Sequence, residues 1–495
     1  MNATKLLTLL LALMMVASML LACAQPTDTP DDTPDTPDTP DTPQAPDGTD
    51  DEDVEKPFNI REAVEALPEC SFAGEEFLIA ASSTYENTFT IDQFPTVEGK
   101  TGALVMDALY ERDAMLEEVM GVNLAYDDVL DSAMYSKIGN SVRSGDDTYS
   151  LVLGTLANTA QAMFNNSLLY NLNEVPHIDL TRAWWNKNSI ENFEINDQIY
   201  MATGAITNRY VYSPYAMLFN RKLIEDASLD DPYLLLDNGD WTLEVFSTMI
   251  EDTYLDLNAD DKVDIEDFYG LAPASDSETA YYFASGAQLL SKNEDDELIF
   301  TYQDEDNLSI LEEVIWLYDS DNVLKYSKTY DSIAAFREGR AIFHSMALCD
   351  ITMLNDMQDE YGIVPMPKYD TAQEEFYSNA NRYISTMALL PSSIADIDNV
   401  GLVVEALAMA SYYTSLDKQY EQVLLNRQAL DAQSKQSLMA VVESTTYDLC
   451  YGFNLAGMPE GLRDVIKNGT SYASFYAKFE KSLPLALEEF MEKYE

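Results

Sequence analysis

The stretch Phe77-Leu78-Ile79-Ala80, followed by residues 104–119 (LVMDALYERDAMLEEV) and then by Tyr149-Ser150-Leu151-Val152-Leu153, decides the fold class. The first and last are short apolar runs of strand length. Between them Val105, Ala108, Leu109, Leu116 and Val119 recur at helical spacing on one face, with Asp107, Glu111, Glu117 and Glu118 elsewhere. Arg112 interrupts that stripe and is expected to snorkel to water. Strand and helix in alternation predict α/β lobes. The alternation continues from about residue 57 to residue 495, with helical spacing over 310–318 and 402–413. A strand at Gly362-Ile363-Val364-Pro365-Met366-Pro367 is stopped by proline. No repeat of solenoid period is present outside the N-terminal tract.

Composition sets limits on function. The chain has 28 Lys+Arg against 87 Asp+Glu, a formal charge of −59, which excludes a nucleic-acid binder because a phosphate-reading surface needs a basic face. Hydrophobic residues make up 46% of the 495, enough to bury a real core, so wholesale disorder is excluded despite the charge.

Lys5 is followed by a largely apolar run over residues 6–21, too short to span a bilayer, so residues 1–22 are expected to be an export signal. The run ends Leu20-Leu21-Ala22-Cys23, which is similar to a bacterial lipobox, with Cys23 as the lipidated residue. The alternative is an ordinary cleaved signal with an incidental cysteine. Residues 23–57 then repeat Thr-Pro-Asp units and an acidic patch, a composition that cannot fold and prefers extended polyproline II. At roughly 3.1 Å per residue such a stalk reaches ~100 Å from its anchor. With Cys23 assigned to lipid, Cys70, Cys349 and Cys450 allow at most one disulfide within a monomer.

The sharpest local motif is Asp256-x-Asn258-x-Asp260-x-Lys262-x-Asp264-x-x-Asp267. Oxygen side chains at loop positions 1, 3, 5, 9 and 12, with the backbone carbonyl of Lys262 at position 7, are the arrangement that wraps Ca²⁺. The loop resembles an EF-hand or dockerin loop with two departures: Asp261 stands at the usual glycine position, and Asp267 is one methylene shorter than the usual glutamate. A structural Ca²⁺ is the expectation, and an acidic surface loop is the alternative.

Further motifs follow in order: Trp184-Trp185-Asn186-Lys187, Gly204, Tyr215-Ala216-Met217-Leu218-Phe219-Asn220-Arg221-Lys222-Leu223, Asn238-Gly239-Asp240-Trp241-Thr242, Phe336-Arg337-Glu338-Gly339-Arg340-Ala341, and Tyr361 to Lys368. Together, over residues 72–460, they resemble the family 1 extracellular solute-binding proteins of Gram-positive bacteria, the sugar-type receptors of ABC importers. The resemblance implies an α/β, two-lobed, type II periplasmic-binding-protein fold whose lobes are joined by hinge-crossing strands and close over ligand. The expected organisation places 58–212 mainly in lobe 1 and 213–384 mainly in lobe 2. Residues 385–435 return to lobe 1, and the C-terminal helices of 436–495 belong mainly to lobe 2.

Candidate ligand-binding residues follow from side-chain chemistry. Tyr210, Tyr212 and Tyr215 alternate in a segment that Pro214 should keep extended, and their rings would stack on sugar faces while Arg209 and Arg382 bond hydroxyls. Trp184 and Trp185 are candidates with core packing as the alternative. His344 and Ser345 are candidates through a ligand-contacting loop that the resemblance implies, with a satisfied buried histidine as the alternative. Ser385 would mark a second crossing.

No nucleophile elbow, zincin motif, P-loop or dinucleotide fingerprint occurs, and two isolated histidines offer no triad, so the expectation is a non-enzyme. The expected function is capture of a carbohydrate, an oligosaccharide above all, by a monomer lipid-anchored on the extracellular face of the cytoplasmic membrane. Its partners would be the ABC permease subunits. The competing classes are a calcium-dependent adhesion or scaffold module and a carboxylate-based glycoside hydrolase.

Overall fold

Phe77, Ile79, Ala80 and Ala81 are all buried, and the run that holds them is an inner strand, β1 (Glu76–Ala81), of a four-stranded sheet. The computed structural model describes residues 58–494 apart from 71, 73–75, 83, 86–88, 294–296, 326–327, 426–431 and 470–471. The expected signal (1–22), Cys23 and the stalk (23–57) lie outside the described residues. Strand β1 pairs in parallel with β2 (Asn123–Asp128) and β3 (Leu151–Thr155). The helix Leu104–Met120 lies between β1 and β2 in the chain, as a parallel crossover requires. It stops at Gly121, whose φ of 67° is the left-handed conformation glycine adopts without strain.

A second sheet has the order β7-β4-β6-β5, where β4 is Tyr215–Asn220, β5 Tyr269–Leu271, β6 Ala341–Ala347 and β7 Tyr361–Val364. All four strands are buried along their whole length, which is why they read as apolar runs without alternation. Each buried Leu or Phe of such a run is worth roughly 1.5–3 kcal/mol of transfer free energy. Strand β4 pairs antiparallel with β6 and β7, and β6 pairs in parallel with β5.

Three segments connect the sheets. The first leaves the first sheet at Ala202, bridged to Ala388 in β8 (Thr386–Leu389), and enters the second sheet at Tyr215. The second runs from the bridge Pro214–Ala380 to β8, which lies antiparallel to β3. The third begins at Thr445–Thr446, parallel to Ser378–Asn379, and continues to Gly452, which lies against Leu156. At Gly204 an added Cβ would collide with the Trp184 carbonyl, so glycine is required there for the Trp185–Gly204 bridge.

One expectation needs correction. Arg112 does not snorkel: it is 3% exposed and donates to Asp113 at 2.7 Å, Ser411 at 3.0 Å and Tyr126 at 3.1 Å. A buried guanidinium persists there because strand β2 and the helix Ile397–Tyr413 supply its partners. The C-terminal helices take different neighbours. Helix Met458–Asn468 meets helices Glu278–Ala284 and Glu305–Asp319 beside it. The last helix, Ser482–Met491, instead sets Phe490 against Phe164 and Phe453, and Tyr494 beyond it against Tyr200. Among the described residues Cys70, Cys349 and Cys450 are free thiols, and no helix is long and apolar enough to cross a membrane.

Candidate functional site

The segment expected to be extended through Tyr210 and Tyr212 instead turns. Thr207 accepts the N–H of Arg209 with its side chain and starts a 3-10 turn at Asn208–Tyr210. That local hydrogen bond outweighs the alternation pattern, and the strand begins only at Tyr215. Tyr210 and Tyr212 are buried, 9% and 8% exposed. Tyr210 accepts from the Asn186 amide, and burial pushes its hydroxyl up to about 12. Arg209 is 1% exposed, 2.7 Å from Asp131, and donates to the Ser82 carbonyl. It joins the chain that follows β1 to the first crossing.

The other candidates separate in the same way. His344 and Ser345 lie inside β6, fully buried. The His344 ring stacks on Phe336 and bonds the Ala272 carbonyl, and burial lowers its pKa to about 4. Ser345 shares a hydrogen bond with Ser277 at 2.9 Å. The expected loop at 344–345 is therefore strand, consistent with its flanks Ile342-Phe343 and Met346-Ala347. Ser385 donates to Tyr447 at 3.2 Å. Trp184 and Trp185 donate their indole N–H groups to the two oxygens of one carboxylate, Glu405, at 3.0 and 3.1 Å. Burial outweighs those two donors and raises Glu405 to about 7.

Tyr215 and Arg382 come together. They line a cavity of about 330 Å³ with Tyr383, Tyr451, Asp276 and Arg463. Its walls come from the head of β4, the second crossing, the third crossing, the loop before helix Glu278–Ala284, and the first turns of helix Met458–Asn468. Arg382 stands over the Tyr383 ring at 4.8 Å and the Tyr451 ring at 5.9 Å. It donates to the Tyr383 hydroxyl at 2.8 Å and to Glu460 at 3.0 Å. Arg463 meets Asp276 at 2.6 Å, and the Tyr215 hydroxyl accepts from Asn381 at 3.0 Å. Asp276 has a φ of 75°, an uncommon conformation for a residue with a Cβ and one that collects at functional sites. Flat rings beside paired guanidinium and carboxylate groups can stack on an apolar ring face and bond the hydroxyls around it.

Three solved structures carry the same chain path. One is an ABC substrate-binding protein from Listeria monocytogenes in complex with cycloalternan, with TM-score 0.52, 12% identity, and coverage of 85% of this chain and 98% of that one. The second is UspC of M. tuberculosis, with TM-score 0.55, 11% identity, and coverage of 83% and 100%. The third is a cyclo/maltodextrin-binding protein complexed with maltotetraose, with TM-score 0.56, 10% identity, and coverage of 86% and 99%. The fold is the two-lobed fold of these binding proteins. No protein-family model and no curated protein matches the sequence. The cavity around Arg382 sits where the second and third crossing segments meet the head of β4 and the helix Met458–Asn468. Asp276, Thr279, Tyr383, Tyr451, Pro459, Glu460 and Arg463 are the lining residues that sequence reasoning missed. The adjacent pair Arg382-Tyr383 was the one signal available for them.

The acidic loop 256–267 is closed by the bridge Leu255–Phe268. Its side chains form nested turns: Asp256 accepts the N–H groups of Ala259 and Asp261, Asn258 that of Asp260, Asp260 that of Lys262, and Asp264 that of Glu266. Asp261 takes the left-handed conformation, φ 58°, that glycine would supply at that place. Asp267 is fully buried and accepts from the Tyr254 hydroxyl and the N–H groups of Leu257 and Asp264. Asp260 pairs with the Lys262 ammonium at 2.6 Å. Among the described residues no three His, Cys, Asp or Glu side chains converge as a metal cluster. The loop path fits a cation loop, while its carboxylates are turned to backbone and side-chain donors.

Proposed function

We propose that this chain is an extracellular receptor that captures a carbohydrate, an oligosaccharide, between its two lobes and delivers it to the membrane subunits of an ABC importer. The observation that carries the reading is the cavity of Tyr215, Tyr383 and Tyr451 with the ion pairs Arg382–Glu460 and Arg463–Asp276. The bound sugars of the cycloalternan and maltotetraose complexes, on the same fold, support it. In this mechanism the tyrosine rings accept a sugar face, the paired guanidinium and carboxylate groups bond its hydroxyls, and closure of the lobes about the three crossings excludes water. Nothing is consumed. Calorimetry of the full-length chain against maltotetraose, cycloalternan and short peptides tests it. Saturable binding of a glycan, with the glycan recovered unchanged, is the expected result. Binding of peptides alone, or hydrolysis of the sugar, overturns it.

The reading includes lipid attachment at Cys23, which would hold the receptor to the outer face of the membrane. Cys23→Ser should release the protein to the medium, and a membrane-bound C23S chain would refute the anchor. It also includes a structural Ca²⁺ at 256–267, supported by the nested turns and the left-handed Asp261. A ligand present at about 100 times its dissociation constant stabilises the folded state by about 2.7 kcal/mol. Calcium should accordingly raise the melting temperature of the native chain and leave Asp256→Ala unmoved; a melting curve indifferent to chelator sinks the calcium position.

A further inference from the structure

A second cavity, of about 800 Å³, lies on the other side of the Phe283–Tyr451 ring pair. Phe283 lines this second space and Tyr451 the first; their rings meet edge to face at 5.3 Å. The walls of the second cavity again come from several elements. Helix Lys187–Phe193 contributes Glu191, the segment 375–377 contributes Glu375, Phe376 and Tyr377, and the helix that ends at Glu443 contributes that residue.

Its charge differs from that of the first cavity. Lys187 is spoken for by Glu191 at 3.4 Å, and no arginine lines the space. Asp448 is occupied, its oxygens accepting the N–H groups of Leu289, Leu290 and Tyr451. Glu375 and Glu443 are exposed and have no ion pair among the described residues. Phe283, Phe376 and Tyr377 line the same space, and one ring already takes a cation: the Lys368 ammonium is 5.4 Å from the Phe376 ring centre. A neutral polyol would find no guanidinium here. A cation with a hydrocarbon body would find two unpaired carboxylates and a run of rings, the combination that recognises alkylammonium groups.

We propose that this cavity binds a linear organic polyamine, with Glu375 and Glu443 as counter-charges and Phe283, Phe376 and Tyr377 as the rings along which its methylene chain lies. Calorimetry of the full-length chain with spermidine at physiological salt, in the absence of any sugar, tests the proposal separately from the carbohydrate reading. The expected result is saturable binding at one site. The double substitution Glu375→Gln/Glu443→Gln should weaken it by roughly tenfold, and Phe376→Ala by about threefold. The control Glu225→Gln/Glu251→Gln, which removes the same charge from exposed positions outside the cavity, should leave it unchanged. An equal loss in the control, or heats that never saturate, would show only diffuse attraction to an acidic surface and overturn the site. Retained affinity in E375Q/E443Q overturns it as well.

Discussion

Two aromatic clusters in this chain hold carboxylates, and they hold them by different means. Around Tyr383 and Tyr451, Glu460 and Asp276 each face a guanidinium, at 3.0 and 2.6 Å. Around Trp184 and Trp185, Glu405 faces two indole N–H groups and the Asp179 backbone N–H, with no ion-pair partner among the described residues. A guanidinium brings a full opposite charge, whereas an indole brings only a dipole, so burial prevails at Glu405 and lifts it to about 7. The difference separates two uses of similar residues. The arginine-paired carboxylates line a cavity with a full opposite charge beside each, and the tryptophan-paired one is a latch that ties residues 184–185 to the helix Ile397–Tyr413.

The largest effect should come from breaking the latch. Glu405→Leu keeps the volume and leaves two indole N–H groups without an acceptor, a loss of about 2–6 kcal/mol at one to three per orphaned donor. Urea unfolding measures it, and an unchanged midpoint would mean that the indoles do not depend on Glu405. Next comes its titration. A folded pKa near 7 lies above the ordinary glutamate value of 4.5, so between those two pH values the folded chain holds a proton that the unfolded chain has lost. Stability should therefore fall as pH rises from about 4.5 to 7, by roughly 3 kcal/mol at most, and level off above. Glu405→Gln should flatten that slope; a slope that survives in E405Q belongs to another group. On the arginine side the expected changes are in binding. Arg463→Met should weaken maltotetraose by roughly tenfold, with Asp276 left uncompensated. Tyr383→Ala removes one stacking face and should cost about 1 kcal/mol, near fivefold. If Tyr383→Ala costs more than Arg463→Met, the rings rather than the ion pairs dominate the site.

The strands and helices that could be read from sequence are those whose signal is local. Strands β3 and β7 are buried along their whole length, and β1 is buried but for Glu76 and the half-buried Leu78, so all three appear as apolar runs. Arg112 was misread because its partners Tyr126 and Ser411 come from elements that only folding brings near. The same limit governs the candidate site. Tyr215 and Arg382 stand in segments with visible strand and proline signals, but the Arg463–Asp276 pair joins residues 187 positions apart. One aspartate among 87 acidic residues carries no mark of that partnership. The turn at 208–210 failed to show because a single threonine side chain, rather than periodicity, starts it.

Two of the four tryptophans in the chain therefore end on one carboxylate. The other two have different surroundings: Trp241 donates to the Pro365 carbonyl, and Trp316 is largely exposed. Because a negative charge at the nitrogen end of an indole shifts its excited-state dipole energy, loss or gain of one proton at Glu405 acts on two emitters at once. The unlabelled protein carries its own optical reporter: its ultraviolet emission should change colour as pH passes through about 7, and E405Q should be blind to that passage.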